Sequence, residues 1–438
     1  MFSLQIPVIS WILLGVQILT MIALLIFVLR PLRLIRRLPI TCYSEPEGTD
    51  TTEEADTEET EETITEETDE TIAEEEVETE ETGTEEEVET EVKVPKVSVV
   101  AYSTVNEDTL TEFLKSVCTQ DYPDYEVIVV CDASFEASGI LSEKYEELFK
   151  RVYVTFIPPG SHNLSRRKLA LTIGIKASKG DVVLTTVANA ILPSDNWIST
   201  MVRPFIENPS IELSLGYSHP DYQEITGPGK YYKEFFALLT DTRWIGYALM
   251  HKPYRGDGFN LAFLRETFFR CKGYSKTMHL HSGEDDLFIN EIADSLNTAV
   301  AISPESILTI RWGETSKRVF NLRRSQYDFT ARWLPLGPFV RAGLASTSQW
   351  VVLLAGVASA LIALPNLIPA IACAVIWLAF IIAESVTYRK ASDKLEATRL
   401  SWQVPLFWLI KPLNNLYFRA VHRSSRFKNF TWQRHKLS

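Results

Sequence analysis

The chain between residues 94 and 187 alternates short apolar runs with segments of helical periodicity. The apolar runs contain consecutive β-branched and aliphatic residues, which is typical of strands buried on both faces of a sheet. We predict strands at residues 96–102, 125–134, 152–158 and 181–187. Apolar residues spaced by three and four positions predict helices at residues 107–120, 141–151 and 165–180. This alternation predicts an α/β fold with a doubly wound, mostly parallel sheet.

Ligands of such sheets bind beyond the carboxyl ends of the strands, where neighbouring loops meet. In this chain those ends are residues 102–107, 132–134, 158–161 and 187–189. We therefore expect the functional site along this edge of the sheet.

Three longer apolar stretches predict membrane spans. Residues 8–29 are long enough to cross a bilayer, and they lack the basic start and the cleavage site of a signal peptide. Residues 347–364 and 367–386 are separated by Pro365 and Asn366, so they predict a transmembrane hairpin.

A further segment, residues 400–418, is rich in aromatic residues and is interrupted by Pro405 and Pro412. We predict that it lies in the membrane interface and does not form a fourth span. Four arginines follow the first span, at positions 30, 33, 36 and 37. The positive-inside rule then predicts a multi-pass protein of the inner (plasma) membrane with its soluble domain in the cytoplasm.

Acidic residues are distributed unevenly along the chain, which separates further regions. Of its 57 acidic residues, 25 lie between Glu45 and Glu91, which leaves 32 acids against 43 bases elsewhere. The acidic tract has no aromatic residue, so it cannot bury enough apolar surface to fold. We predict four regions: a membrane anchor with a basic flank (1–43), an acidic disordered linker (44–93), a soluble domain (94–335), and a C-terminal region with the hairpin, the interfacial segment and a basic tail (336–438).

The positive charge outside the acidic tract suits membrane lipid headgroups or a phosphorylated substrate. No nucleic-acid partner is expected, because the sequence has neither zinc-finger spacing nor a single-strand-binding motif. The five cysteines are scattered and form no Cys-x-x-Cys pair, which argues against a disulfide framework and a structural zinc site.

Two candidate binding groups lie at the predicted strand ends. Asp132 follows the second strand, where its carboxylate can accept a hydrogen bond from the N–H of a planar base; a turn or helix cap is the alternative. Arg166, Arg167 and Lys168 open a helix, against the helix dipole. Such a cluster fits a helix start that faces an anion or stacks on a base; a solvated basic face is the alternative.

A third group is Glu284, Asp285 and Asp286, at the start of a predicted helix. A carboxylate there can act as a general base toward a hydroxyl nucleophile, or all three can serve as helix-capping acids. The apolar face of this helix would consist of Leu287, Phe288, Ile292 and Leu296.

The order of these parts resembles the family 2 inverting glycosyltransferases, which have the GT-A fold, over about residues 93–333. Five segments are similar to motifs of this family. They are the opening VSVVAYSTVNEDTL, the turn QDYPDYEVIVVCDAS, the helix SRRKLALTIGIKASKGD and the pair GFNLAF and GEDDLFI. The resemblance implies that Asp285 is the catalytic base, with Glu284 beside it. It also implies nucleotide-sugar binding by Tyr102, Asp132, Arg166, Asn189 and Arg324.

The chain departs from this family where a metal is expected. The Asp-x-Asp motif that holds a divalent metal aligns with Val187, Ala188 and Asn189. Asn189 offers one neutral oxygen, a weak ligand for Mg²⁺ or Mn²⁺ compared with a carboxylate. The negative charge on the leaving diphosphate would then be neutralised by such a metal or by arginines, namely Arg166, Arg167, Arg323 and Arg324. The family's Gln-x-x-Arg-Trp motif has wrong spacing in Gln326, Arg332 and Trp333.

Two functions follow from the resemblance. One is a membrane-bound glycosyltransferase of the hexosyltransferase class that moves a sugar, with inversion, from a nucleotide sugar to a lipid-linked or polysaccharide acceptor. The other is a catalytically inactive homologue that acts as a partner of another glycosyltransferase in cell-surface glycan assembly. The missing metal carboxylates leave both open.

Overall fold

A seven-stranded sheet lies at the centre of the region that follows residue 94. In the computed structural model its spatial order is β3 (Val152–Phe156), β2 (Tyr125–Cys131), β1 (Val97–Ser103), β4 (Val182–Val187), β8 (Leu261–Leu264), β6 (Leu213–Leu215) and β9 (Thr298–Val300). The first four strands run parallel, β8 is antiparallel to both its neighbours, and β9 is parallel to β6. The predicted mostly parallel α/β sheet is confirmed.

The structure describes residues 8–37, 94–104, 107–132, 135–157, 164–221, 223, 229–311, 316–364, 366 and 368–422. The predicted disordered linker at 44–93 lies outside the described residues, and so does the basic tail from residue 423 onward.

Eight helices connect or cover these strands in the described part of residues 94–335. They are α2 (Glu107–Val117), α3 (Phe135–Leu148), α4 (Arg166–Ala177), α5 (Trp197–Glu207), α6 (Lys230–Ala248), α7 (Arg265–Arg270), α8 (Asp286–Ile292) and α9 (Ser316–Thr330). A small second sheet contains β5 (Ala190–Ile191), β10 (Leu308–Ile310) and β7 (Ser218–Pro220). Helix α2 shows how the pattern forms these elements, because its apolar residues at i, i+3, i+4 and i+7 are all buried.

Helix α8 is shorter than the sequence predicts. It ends at Ile292, and Leu296 is 67% exposed, so Leu296 does not belong to the buried face. The reason is local: Asp294 Oδ1 accepts hydrogen bonds from the backbone N–H groups of Leu296 and Asn297, at 2.7 and 2.8 Å. This Asp-centred turn offers the backbone an alternative to another helical turn.

Four long helices precede or follow residues 94–335 in sequence: α1 (Val8–Arg37), α10 (Leu336–Ile362), α11 (Ile368–Lys394) and α12 (Gln403–His422). Within the described residues, three segments are long and apolar enough to cross a membrane, namely Val8–Ile26, Leu336–Ile362 and Ile368–Lys394. Helix α10 begins earlier than the predicted span at 347, directly after Pro335. Helix α12 continues through Pro412 and is not one of those three segments.

Polar side chains join the apolar helices to one another. Gln349 Nε2 of α10 donates to Glu384 Oε1 of α11 at 3.2 Å, and both residues are buried. The Ser10 and Ser359 hydroxyls lie 2.8 Å apart between α1 and α10. Such hydrogen bonds between apolar helices help to fix their packing.

Candidate active site

Three of the predicted binding residues meet at the carboxyl edge of the sheet. Tyr102, near the end of β1, donates its hydroxyl to Asp132 Oδ2 at 2.9 Å. Arg166, the first residue of α4, donates its Nε to Asp132 Oδ1 at 2.8 Å. Both carboxylate oxygens of Asp132 therefore accept from side chains. Burial, followed by the negative charge of Asp132, raises the pKa of Tyr102, so the hydroxyl stays protonated and keeps donating.

This cluster remains accessible at its centre. The side chains of Arg166 and Asp132 are 24% and 20% exposed. A planar base next to them can use the carboxylate as an acceptor and the guanidinium as a stacking surface. The arrangement fits the expected role of the pair, although the ion pair alone would also stabilise the junction of β2 and α4.

The position expected to hold a metal does not fit one. Val187 and Ala188 are buried, and the Asn189 amide donates to the Arg311 carbonyl at 2.5 Å. Arg311 in turn pairs with Glu112. No group of three or more His, Cys, Asp or Glu residues in the described part of the chain is placed to hold a metal ion. A single amide oxygen does not supply the oxygen ligands that Mg²⁺ or Mn²⁺ requires.

Two buried ion pairs fix the acidic group at the start of α8. Arg167 Nη1 lies 3.0 Å from Glu284 Oε1, and Arg255 Nε lies 2.7 Å from Asp286 Oδ1. Thr330 completes the second pair, since its hydroxyl donates to Asp286 Oδ2 at 2.7 Å. Glu284 and Asp286 thus have neighbours that balance their charges.

Asp285, between them, is different. It is partly exposed and forms no ion pair with the described residues. As the N-cap of α8 it accepts a hydrogen bond from the backbone N–H of Asp286 at 2.7 Å, which orients its carboxylate. Gly258 approaches it so closely that a Cβ at 258 would lie 2.7 Å from the Asp285 Cβ. Asp285 therefore lies oriented against a glycine loop with its charge unpaired.

The sequence did not predict that the Lys168 side chain is buried and hydrogen-bonded to backbone carbonyls. Its side chain is completely buried, and its ammonium donates to the carbonyls of Thr277 at 2.7 Å and Ser282 at 2.9 Å. These bonds hold the segment before Gly283, whose φ of +95° requires a glycine. Burial lowers the pKa of Lys168 to about 8. Arg167 is also buried, so the solvated basic face is excluded for both residues.

Sequence reasoning also missed a stack around Phe259. The Arg167 and Arg323 guanidinium carbons lie 4.3 and 4.8 Å from the centre of its ring. Arg323 lies 3.9 Å from Asp257, which accepts a hydrogen bond from the backbone N–H of Ser218 at 2.8 Å. The only sequence signal for this group is the segment GDGFN, residues 256–260.

The structure does not bring Arg324 to the edge where Asp132 and Arg166 meet. Its guanidinium donates to the side-chain carbonyls of Asn414 at 2.6 Å and Asn415 at 2.7 Å, both on α12. It also stacks between Phe236 and Phe418. One position along α9 separates Arg324 from Arg323, which turns their side chains in different directions.

Residues 97–260 match glycosyl transferase family 2. The match confirms the resemblance predicted from the sequence, over the part of the chain that contains Asp132, Arg166, Asn189 and the glycine loop.

A glucosyl-dolichyl phosphate glucuronosyltransferase of Haloferax volcanii is 28% identical over 182 residues, which are 41% of this chain and 56% of the relative. The match thus spans little more than half of that relative's length. Among solved structures, a Pyrobaculum calidifontis mannosyltransferase in complex with GDP-Man and Mn²⁺ is 17% identical, with a TM-score of 0.44, 74% of this chain and 87% of that chain covered. S. aureus TarS 1-349 in complex with UDP-GlcNAc is 14% identical, with a TM-score of 0.39. That match covers 73% of this chain and 92% of the TarS chain.

Proposed function

We propose that the protein is a membrane-bound glycosyltransferase that moves a sugar from a nucleotide sugar to a lipid-linked or polysaccharide acceptor with inversion. The observation that carries this proposal is Asp285: an oriented, partly exposed carboxylate without an ion pair, between two acids that buried arginines neutralise. The family 2 match over residues 97–260 and the glycosyltransferase relative support the reaction class.

The chemistry follows from the side chains. Asp285 accepts the proton of an acceptor hydroxyl as that oxygen forms a bond to the anomeric carbon. The bond between this carbon and the donor phosphate breaks at the same time, and the nucleoside diphosphate leaves from the opposite face. Asp132 and Arg166 would hold the base of the nucleotide. Glu284 is a positioning residue, because its carboxylate is buried against Arg167.

The leaving diphosphate needs positive charge near it. The residues at 187–189 do not fit a divalent metal, so no step is assigned to one. Arg323 is a candidate for this role, since its side chain is 19% exposed and its guanidinium stacks on Phe259, in the glycine loop that lies against Asp285.

We further propose that the soluble domain faces the cytoplasm at the plasma membrane, with residues 1–43 and 336–438 holding it there. The relative's name gives glucosyl-dolichyl phosphate as what that enzyme acts on, which supports a lipid-linked acceptor for this chain. The three apolar helices support a site next to a bilayer.

The decisive experiment is release of nucleoside diphosphate from UDP- and GDP-linked sugars by the purified full chain. Asp285→Asn should reduce release by about 10²- to 10⁴-fold, the usual effect of losing a general base. Glu291→Gln is the matched control, because it removes an exposed carboxylate from the same helix. Equal release by wild type and Asp285→Asn would remove Asp285 as the base.

An inactive partner protein is the second candidate, and the non-acidic residues at 187–189 are the observation that favours it. Calorimetry with the same nucleotide sugars separates the two functions. Absence of binding to every donor, with and without Mn²⁺, would refute the enzyme and support the partner role.

A further inference from the structure

A large cavity lies between α6, α9, α10 and α12, away from the residues that surround Asp132. Its volume is about 1020 Å³, and it is partly open to the outside. Side chains from all four helices line it, including Arg243 of α6, Arg324 of α9, Phe339 of α10 and Lys411 of α12. The proposed glycosyl transfer assigns no role to this space.

The cavity is strongly cationic. Five basic residues line it, whereas Asp328 is the only acid in its lining. Arg255 is neutralised by Asp286, and Arg324 donates to the side-chain amides of Asn414 and Asn415. Neither Arg243 nor Lys411 forms an ion pair with any residue that the structure describes. Positive charge therefore exceeds negative charge among the groups that face this space.

Lys411 shows this excess most clearly. Its side chain is 6% exposed, and its ammonium lies 4.3 Å from the centre of the Trp408 ring. Burial lowers the pKa of Lys411, and the positive charges of Arg243 and Arg324 lower it further. Buried charges are normally paired. Arg243 and Lys411, which have no ion pair among the described residues, therefore indicate a site at the cavity wall that an anion completes.

The rim of the cavity is apolar and exposed. Leu336 and Leu416 line it and are 73% and 68% exposed. Helix α10, whose first turns line the cavity through Phe339 and Gly343, is one of the three helices apolar enough to span a membrane. A cationic interior with an apolar rim next to such a helix suits an amphiphile with an anionic head.

The inner wall of the cavity reaches the residues that hold the proposed base. Arg255 and Tyr327 both line it, and the Arg255 guanidinium stacks on Tyr327 at 4.3 Å. Arg255 also lies 2.7 Å from Asp286, the residue after Asp285. A molecule that fills the cavity therefore contacts the ion pair that fixes the base helix.

We propose that this cavity binds the phosphate of the lipid-linked acceptor, through Arg243, Arg332 and Lys411. This inference rests on the proposed function, since the sugar carried on that lipid phosphate supplies the hydroxyl that reacts beside Asp285. Phosphate oxygens would satisfy the donors of these side chains, and the lipid chain would leave over the apolar rim into the bilayer.

The test uses the full chain in mixed micelles and native mass spectrometry of bound lipid. The probes are a polyprenyl phosphate, phosphatidylglycerol at the same mole fraction, and inorganic phosphate as a competitor. Wild type should retain polyprenyl phosphate in preference to phosphatidylglycerol. Lys411→Gln should weaken retention about tenfold, which corresponds to about 1.4 kcal/mol. Lys390→Gln, which removes an exposed lysine of α11, should behave as wild type.

Each other result overturns the proposal. Equal retention of the two lipids would make the cavity a general lipid site, and displacement by inorganic phosphate alone would make it a free-phosphate site. Unchanged retention in Lys411→Gln would exclude the cluster. If Lys411→Gln fails to fold, Arg332→Gln replaces it, because Arg332 stacks on the partly exposed Trp333.

The two proposals fail in different ways. Nucleoside diphosphate release with normal lipid retention in Lys411→Gln would leave the glycosyltransferase standing and refute the lipid site. Selective, Lys411-dependent lipid retention without binding of any nucleotide sugar would refute the glycosyltransferase and keep the lipid site.

Discussion

The Arg167 guanidinium lies 3.0 Å from the Glu284 carboxylate, and the two side chains are only 6% and 5% exposed. The pair joins the first turn of α4, which also carries Arg166, to the segment that carries Asp285. The residues proposed to bind the nucleotide and the proposed base are thus connected through one buried ion pair.

Removing one partner of this pair should destabilise the protein strongly. Glu284→Gln leaves the Arg167 charge buried without a counter-charge, which costs about 3–5 kcal/mol in comparable cases. We expect a clear fall in the midpoint of chemical denaturation, measured on the full chain in detergent. The double variant Arg167→Met with Glu284→Gln should recover much of that loss, because it removes both charges. Losses that simply add in the double variant would show that the two residues act independently.

Lys168 should control the position of the base without taking part in the reaction. Lys168→Met keeps the length and bulk of the side chain but removes the donors to the carbonyls of Thr277 and Ser282. We expect about 10²-fold slower turnover, as for other small displacements of catalytic groups, with nucleotide-sugar binding retained. Loss of donor binding with unchanged turnover at saturation would contradict this role.

The sequence predicted the elements around β1 to β4 well, because their apolar runs and helical spacing are local signals. It overestimated the length of α8, since the turn at Asp294 depends on side-chain bonds that periodicity does not report. It located the Glu284–Asp286 group but not the arginines that neutralise its outer members, because those contacts join distant segments. For the same reason it associated Arg324 with the nucleotide, whereas the structure places it against α12, about 90 residues further along the chain.

Turnover should not depend on a divalent metal. The segment at 187–189 offers only the Asn189 amide oxygen, and its amide nitrogen is bound to the Arg311 carbonyl. We expect nucleoside diphosphate release to be unchanged by EDTA. Complete loss of release in EDTA, reversed by Mn²⁺, would show that a metal is bound after all.

Arg323→Met should lower nucleoside diphosphate release by about 10²- to 10³-fold, as when one oxyanion-stabilising group is removed.

Restoring the two missing carboxylates should create a metal site that can be detected from the thermal unfolding temperature as well as from activity. Val187→Asp combined with Asn189→Asp places two acids at the end of β4, where Val187 is 6% exposed. The buried charges should lower the thermal unfolding temperature in EDTA. Mn²⁺ should raise it again in the double variant, since a ligand that binds only the folded state stabilises it. The same shift in wild type would contradict the assignment of this position.

Asp241, on α6, should make stability depend on pH between about 4 and 7. Burial raises its pKa to about 7, although the nearby Arg323 acts in the opposite direction. The folded chain therefore holds a proton on Asp241 over a range in which the unfolded chain, with an ordinary Asp pKa of about 3.9, has lost it. The stabilisation is present below about pH 4 and is lost as the pH rises toward 7.

Asp241→Asn tests this linkage, because it keeps the shape of the side chain but does not titrate. As the pH rises from 5 to 7, the free energy of unfolding of the variant should increase relative to that of wild type. The increase should be at most about 1.4 kcal/mol per pH unit. Above pH 8 the difference should stay constant. Asp121→Asn, at an exposed position, is the control for the same chemical change. Denaturation midpoints at pH 5 and pH 8 measure the effect, and a difference between Asp241→Asn and wild type that is equal at both values would show that Asp241 is ionised in the folded protein throughout.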